Sequence, residues 1–117
     1  MTMTARECYA QMGADYDAVL RRLPSEALIV RLMKKFPDDP SFPELQAAMD
    51  AQDAQAAFRA VHTLKGVCLN LGFDALGAAA SKLTELLRGG ALTGAEELFA
   101  QVRREYDRTL SALGMLD

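Results

Sequence analysis

Apolar residues recur every three or four positions along most of the chain, in segments separated by glycine, proline and polar turns. The clearest segments lie at 28–36, 57–71, 76–87 and 98–113. A period near 3.6 residues is that of an amphipathic helix with one buried face. No stretch alternates apolar and polar residues for long enough to predict a strand, and there is no internal repeat. The sequence therefore predicts an all-α protein.

Capping signals set the predicted helix boundaries. A hydroxyl residue followed three positions later by glutamate, at 4–7, 41–44 and 93–96, predicts three capping boxes. Asp15, Asp53 and Asp74 are predicted N-caps, and Gly72 is predicted to end a helix at residue 71. The expected helices span about 5–12, 15–22, 25–36, 41–51, 54–71, 75–88 and 95–113.

Short connections force consecutive helices to be antiparallel neighbours. We therefore expect an antiparallel up-and-down four-helix bundle with short additional N-terminal helices. The first bundle helix is in two pieces around the prolines at 37–43. The N-terminal cover is expected at about 4–23 and the bundle at about 25–113. A chain of 117 residues is long enough for one core, so a single domain over 1–117 is predicted.

Composition excludes several classes of function. The net charge is −3 with no basic stripe, so nucleic-acid binding is not expected. No apolar run approaches the ~18 residues of a membrane span, and residues 1–12 do not resemble a signal peptide. One histidine and two distant cysteines do not predict a metal site, and Cys68 is predicted to be a buried thiol. We expect a cytoplasmic monomer.

The only histidine, His62, falls within the predicted helix 54–71. On a helical wheel its own face contains Lys65, Gly66, Leu69 and Asn70, at offsets of three, four, seven and eight residues. The opposite sector is apolar and holds Ala57, Ala60, Val61, Leu64, Val67, Cys68 and Leu71. The imidazole is therefore predicted to point away from the core of its own helix.

Two neighbours of His62 suggest a phosphorylated histidine. Gly66 costs a helix about 0.5–1 kcal/mol relative to alanine, and it leaves a gap one turn from the ring. Lys65 is also one turn away and can offset the charge of an anion on the imidazole. Each residue also has an ordinary explanation: a surface histidine without a role, a glycine at a helix contact and a solvated lysine. The combination on one helix face favours the functional interpretation.

The run HTLKG at 62–66, followed by NLG at 70–72, resembles the signature of histidine phosphotransfer (HPt) domains. The resemblance covers nearly the whole chain, and the closest likeness is to stand-alone bacterial members. It implies that His62 accepts and donates a phosphoryl group through Nε2. The implied partners are a response-regulator receiver domain, which has its own aspartate and Mg²⁺, and a sensor histidine kinase or hybrid kinase.

The chemistry of the side chains is compatible with this role. A free imidazole has a pKa of about 6.5, so at neutral pH a ring nitrogen has a lone pair that can attack phosphorus. The sequence has no glycine-rich phosphate loop, no P-loop lysine motif and no clustered carboxylates around His62. We therefore expect a phosphocarrier without cofactors, nucleotide binding or ATP-dependent kinase activity, and Mg²⁺ on the partner.

Three more polar residues are candidates for the site. His62 lies ten residues before the turn at 72–73. The residues of the next helix that lie level with it are therefore expected at about 82–84. Thr84, predicted on a flank of that helix, could bond the second ring nitrogen, although similar proteins often carry glutamine there. Arg88 could reach a partner or simply favour the helix C-terminus. Asn70 could contact the partner or cap its helix.

The predicted docking surface is apolar at its centre with a polar rim. Leu69, Leu76 and Phe58 are candidates for the centre, with Arg59 at the edge, and Phe58 could equally belong to the core. A competing hypothesis is a non-phosphorylated adaptor that binds a receiver or another signalling domain. An enzyme such as a phosphohistidine phosphatase or a metal hydrolase is disfavoured, since the chain has one histidine and no acidic cluster.

Overall fold

The computed structural model describes residues 2–117; Met1, the first residue of the predicted domain, lies outside the described residues. Within this range the only β pairing is an isolated bridge between Met3 and Leu116. A short 3-10 turn, Phe36–Asp38, follows the third of the α-helices. The helices are α1 Ala5–Gln11, α2 Tyr16–Arg22, α3 Glu26–Lys35, α4 Ser41–Asp50, α5 Ala54–Leu71, α6 Asp74–Arg88 and α7 Ala95–Leu113. The prediction of an all-α protein is confirmed.

Four predicted boundaries are confirmed by their cap geometry. Thr4 and Glu7 form the reciprocal capping box of α1. The carboxylates of Asp15 and Asp53 accept the amides of Ala18 and Ala56, which begins α2 and α5. Gly72 ends α5 in the left-handed conformation at φ 73°. These bonds satisfy orphan backbone groups locally, so the sequence alone was sufficient to place them.

Three predicted caps are wrong. Ser41 is the first residue of α4 and is buried, and its amide donates to the Asp39 carboxylate at 2.9 Å. Helix α7 begins after Gly94, at φ 82°, without a side-chain cap. Asp74 is the first residue of α6 and not its cap. In each case the residue before the helix is not the predicted cap, and it makes no side-chain hydrogen bond to the first turn.

Helix α5 lies at the centre of the packing. Helices α4 and α6 both pack along it, and α7 packs against α6. A Cβ added at Gly77 would lie 3.4 Å from Cys68 Cβ and 3.6 Å from Leu69 Cδ2, so α5 and α6 approach closely there. The largest fully buried side chains are Tyr9, Phe73, Ile29, Met33, Leu45, Leu64, Leu76, Leu83, Leu87, Val19, Val61 and Val102.

The N-terminal helices hold the C-terminal end of α5. The Tyr9 hydroxyl donates to the Leu71 carbonyl oxygen at 2.5 Å, and Arg22 Nη1 donates to the Leu69 carbonyl oxygen at 3.0 Å. These donors satisfy carbonyls that have no partner within the helix. The last turn of α5 is thus held by side chains of α1 and α2. For residues 2–117, no helix combines the length and apolar character needed to cross a bilayer.

Candidate functional site

Helix α5 holds His62 on its exposed face. Val61, just before it, and Leu64, two residues after it, are 0% and 1% exposed. The side chain of His62 is exposed. Burial of the two aliphatic side chains fixes the rotation of the helix, and this rotation turns the imidazole outward. The ring is therefore open to approach by another molecule.

The imidazole rests against an aromatic ring. Phe58, one turn earlier on α5, lies parallel to His62 with 5.8 Å between ring centroids and 9° between planes. The guanidinium carbon of Arg88, from α6, lies 5.3 Å from the Phe58 centroid. The aromatic ring thus contacts the histidine and a cation from the neighbouring helix. Phe58 is half-buried, so it belongs partly to the core and partly to the site.

Lys65 and Gly66 lie one turn after His62. Lys65 is half-buried, and Gly66 is exposed within the helix. A Cβ added at Gly66 would have no heavy atom within 4 Å, so packing against another helix does not require glycine here. The interpretation of Gly66 as a helix-contact glycine is therefore wrong, and the position is an open gap beside the imidazole.

Glu85 is an acidic neighbour of the site that the sequence did not reveal. Its carboxylate accepts two hydrogen bonds from Arg88, Nη2–Oε2 at 3.0 Å and Nε–Oε1 at 3.3 Å. The hydrogen bond and charge of Arg88 lower the pKa of Glu85, with smaller contributions from Lys65 and His62. Its i, i+3 spacing to Arg88 was a signal for this ion pair.

Thr84 does not lie where the sequence suggested. It is fully buried, and its hydroxyl donates to the Ala80 carbonyl oxygen at 2.7 Å within α6. The prediction that Thr84 lies off the core stripe is therefore wrong. Because its hydrogen is used inside the helix and its side chain is in the core, Thr84 is a poor candidate for orienting the imidazole.

The other candidates surround His62 on α5. Leu69 is the exposed large hydrophobic side chain of the described residues, at 53%. Asn70 is exposed, and its carbonyl oxygen accepts from Arg22 Nη1 at 3.4 Å. Arg59 is exposed on the other flank, and its carbonyl oxygen accepts the Thr63 hydroxyl at 3.0 Å. Leu76 is buried, so its predicted place in a docking surface is wrong.

Two grooves run along the flanks of α5. One, of about 420 Å³, lies between α4 and α5, and its lining includes Arg59 and Thr63. The other, of about 370 Å³, lies between the C-terminal end of α3 and α5, and its lining includes Val67 and Asn70. Across residues 2–117, no group of three or more His, Cys, Asp or Glu side chains is arranged to hold a metal ion.

Comparison with known proteins identifies the family. The family model described as the Hpt domain matches residues 39–112, which is more than half of the chain. The match runs from the start of α4 almost to the end of α7 and includes every candidate residue discussed above. Searches of curated proteins and of solved structures gave no match. The chain belongs to the Hpt domain family, whose members are phosphocarriers that transfer phosphoryl groups by a histidine in phosphorelays.

Proposed function

We propose that this chain relays a phosphoryl group through His62, to or from an aspartate of a response-regulator receiver domain in a two-component phosphorelay. The observation that supports this most strongly is an exposed imidazole beside an open gap at Gly66, within the family match. A phosphoryl group on a partner's aspartate needs such access, because the attacking nitrogen must reach phosphorus in line with the bond that breaks.

The proposed transfer exchanges one bond to phosphorus for another. The Nε2 lone pair of neutral His62 attacks the phosphorus of an aspartyl phosphate, and the P–O bond to the aspartate breaks. The carboxylate leaves with the bonding electron pair, and the ring becomes a cation that still holds its Nδ1 proton. Release of this proton to water leaves a neutral imidazole ring that carries the anionic phosphoryl group. The reverse sequence returns the group to a receiver.

Side chains around the ring would support this transfer by charge and position. Lys65 offsets the negative charge of the phosphoryl oxygens, which is a main requirement of phosphoryl transfer. Phe58 restricts the orientation of the imidazole through its parallel contact. In this proposal the receiver domain brings Mg²⁺ and the acidic residues. This chain acts as a carrier without cofactors or ATP-dependent kinase activity of its own.

The proposed docking surface surrounds His62 on α5. Leu69 gives it an apolar centre, and Arg59 and Asn70 lie on its rim. An exposed leucine of this size on a polar surface is suited to a small, transient contact. A sensor histidine kinase or hybrid kinase is the proposed source of the phosphoryl group.

We also propose the architecture that would place this surface. Helices α3 with α4, α5, α6 and α7 would form an antiparallel up-and-down four-helix bundle, and residues 4–23 would cover one end. Contacts of Phe58 with Arg88 and of Cys68 with Gly77 support the antiparallel pairing of α5 and α6. In this proposal, residues 1–117 form a single domain that acts as a cytoplasmic monomer.

Phosphotransfer from a panel of receiver domains tests the proposal against a non-phosphorylated adaptor. Each receiver, carrying ³²P on its aspartate, is mixed with this chain and Mg²⁺. The relay predicts an acid-labile, base-stable label on this chain from at least one receiver. Binding to a receiver without any label across the panel would contradict the relay and favour the adaptor.

A further inference from the structure

The ion pair between Glu85 and Arg88 is connected to the imidazole through Phe58, which contacts both Arg88 and His62, and it has no assigned role. Both side chains are more than half exposed, and their two hydrogen bonds keep the Arg88 guanidinium beside Glu85. Exposed ion pairs of this kind contribute little to the stability of a fold. Stabilisation of the fold therefore does not explain why this ion pair is present.

The position of Arg88 connects it to His62. Its guanidinium lies over Phe58, which is itself parallel to the imidazole. Glu85 precedes Arg88 by three residues, or about 4.5 Å along α6. Because α6 runs opposite to α5, Arg88 lies level with Phe58, and Glu85 is displaced along the helix axis towards the level of His62. Lys65 and His62 make small contributions that lower the pKa of the Glu85 carboxylate, which agrees with this placement.

We propose that Glu85 and Arg88 form a charge-exchange pair, in which Arg88 changes its partner from Glu85 to the phosphoryl group, and that this pair sets the lifetime of phosphohistidine at His62. Without phosphate, Glu85 holds Arg88 over Phe58. A phosphoryl group on His62 competes with Glu85 for the guanidinium, because it carries a charge of about −1.5 to −2 and three acceptor oxygens. The inference rests on the proposed function, and it adds a device that regulates the same site.

The two residues then have opposite effects on the phosphorylated state. Arg88 stabilises it by pairing with the phosphoryl oxygens. Glu85 destabilises it, first by competing for Arg88 and then by repelling the phosphoryl group. In hydrolysis, water attacks phosphorus, the P–N bond breaks with its electron pair going to Nε2, and inorganic phosphate is released.

Chemical phosphorylation allows the lifetime to be measured without a partner. Potassium phosphoramidate transfers its phosphoryl group to imidazoles, and His62 is the one histidine of this chain, so phosphohistidine forms at this residue alone. After removal of the reagent, ³¹P NMR follows the decay of phosphohistidine. We expect a half-life about three- to tenfold longer in Glu85→Gln and shorter by a similar factor in Arg88→Gln. Glu85→Asp, which keeps the charge, should remain near wild type.

Helix α7 offers a matched control. Glu105 and Arg108 have the same i, i+3 spacing, with 3.5 Å between Arg108 Nη1 and Glu105 Oε1. Glu105→Gln and Arg108→Gln should leave the half-life unchanged. Equal half-lives in wild type, Glu85→Gln and Arg88→Gln would overturn the charge-exchange pair. This result would not affect the proposed function, which transfer from receiver domains tests separately.

Discussion

The ring of Phe58 lies parallel to the imidazole of His62, with 5.8 Å between their centroids. Phe58→Leu removes this contact while keeping an apolar side chain. Since an aromatic pair contributes about 0.5–1.5 kcal/mol, we expect a modest loss of stability and phosphotransfer slowed about two- to tenfold. Thermal unfolding and single-turnover transfer from a phosphorylated receiver measure the two effects.

Phe42 is the control for the Phe58 experiment. It stacks on Tyr106 with 4.0 Å between centroids and 9° between planes, away from the site. Phe42→Leu should lower stability without slowing transfer. If Phe58→Leu transfers as fast as Phe42→Leu, the aromatic contact does not orient the imidazole.

A small side chain at Gly66 should raise stability, and a large one should slow phosphotransfer. Because nothing lies within 4 Å of an added Cβ, Gly66→Ala is expected to stabilise the fold by about 0.5–1 kcal/mol with little effect on transfer. Gly66→Met fills the gap beside His62 and should slow transfer more than about tenfold. Urea unfolding and transfer kinetics provide the measurements. Ala78→Met, at an exposed position of α6, is the control for the added side chain.

The turn at Gly72 requires glycine for two reasons. Its φ is 73°, and a Cβ there would overlap the Val19 Cγ2 methyl group of α2. We expect Gly72→Ala to destabilise the protein by about 2–5 kcal/mol, because backbone strain and overpacking add. Gly90→Ala, at φ 85° but with nothing within 4 Å, should cost only about 1–2 kcal/mol. Equal losses of unfolding free energy in the two variants would contradict the close approach of α2.

Alkaline pH should destabilise the fold through Cys68. Burial raises the pKa of this thiol from 9.0 to about 12, with a smaller contribution from Asp39. A raised pKa in the folded state stabilises the protein below pH 9, and this contribution is lost as pH rises from 9 to 12. The slope is at most about 1.4 kcal/mol per pH unit. Urea unfolding across this range should show a shallower slope in Cys68→Ala, and identical slopes would contradict the assignment.

The sequence was sufficient to predict those structural features that depend on a single helix. Caps at Thr4, Asp15 and Asp53 use bonds within a few residues, and helical periodicity alone placed His62 outside and Cys68 inside. The resemblance to the family signature then predicted a function for His62. Local bonding and the period of the helix therefore account for most of the fold and for the central residue of the site.

The sequence was insufficient to predict those structural features that depend on the packing of two helices. Counting residues from the turn at 72–73 predicts which part of α6 lies level with His62. It does not predict which side chain there faces the site, because each residue along a helix is rotated by about 100° from the one before. Thr84 is therefore buried, and Glu85, the next residue, is exposed beside the site. The contact of Arg88 with Phe58 depends on the packing of α6 against α5, and no pattern within either helix specifies it.

The most direct test of the account is the location of the label. Wild type and His62→Gln are each incubated with a ³²P-labelled receiver and Mg²⁺, and circular dichroism establishes that both are folded. Because His62 is exposed, the substitution should leave the fold intact. We predict acid-labile label on wild type and none on His62→Gln. Label of equal extent on folded His62→Gln would show that another residue carries the phosphoryl group.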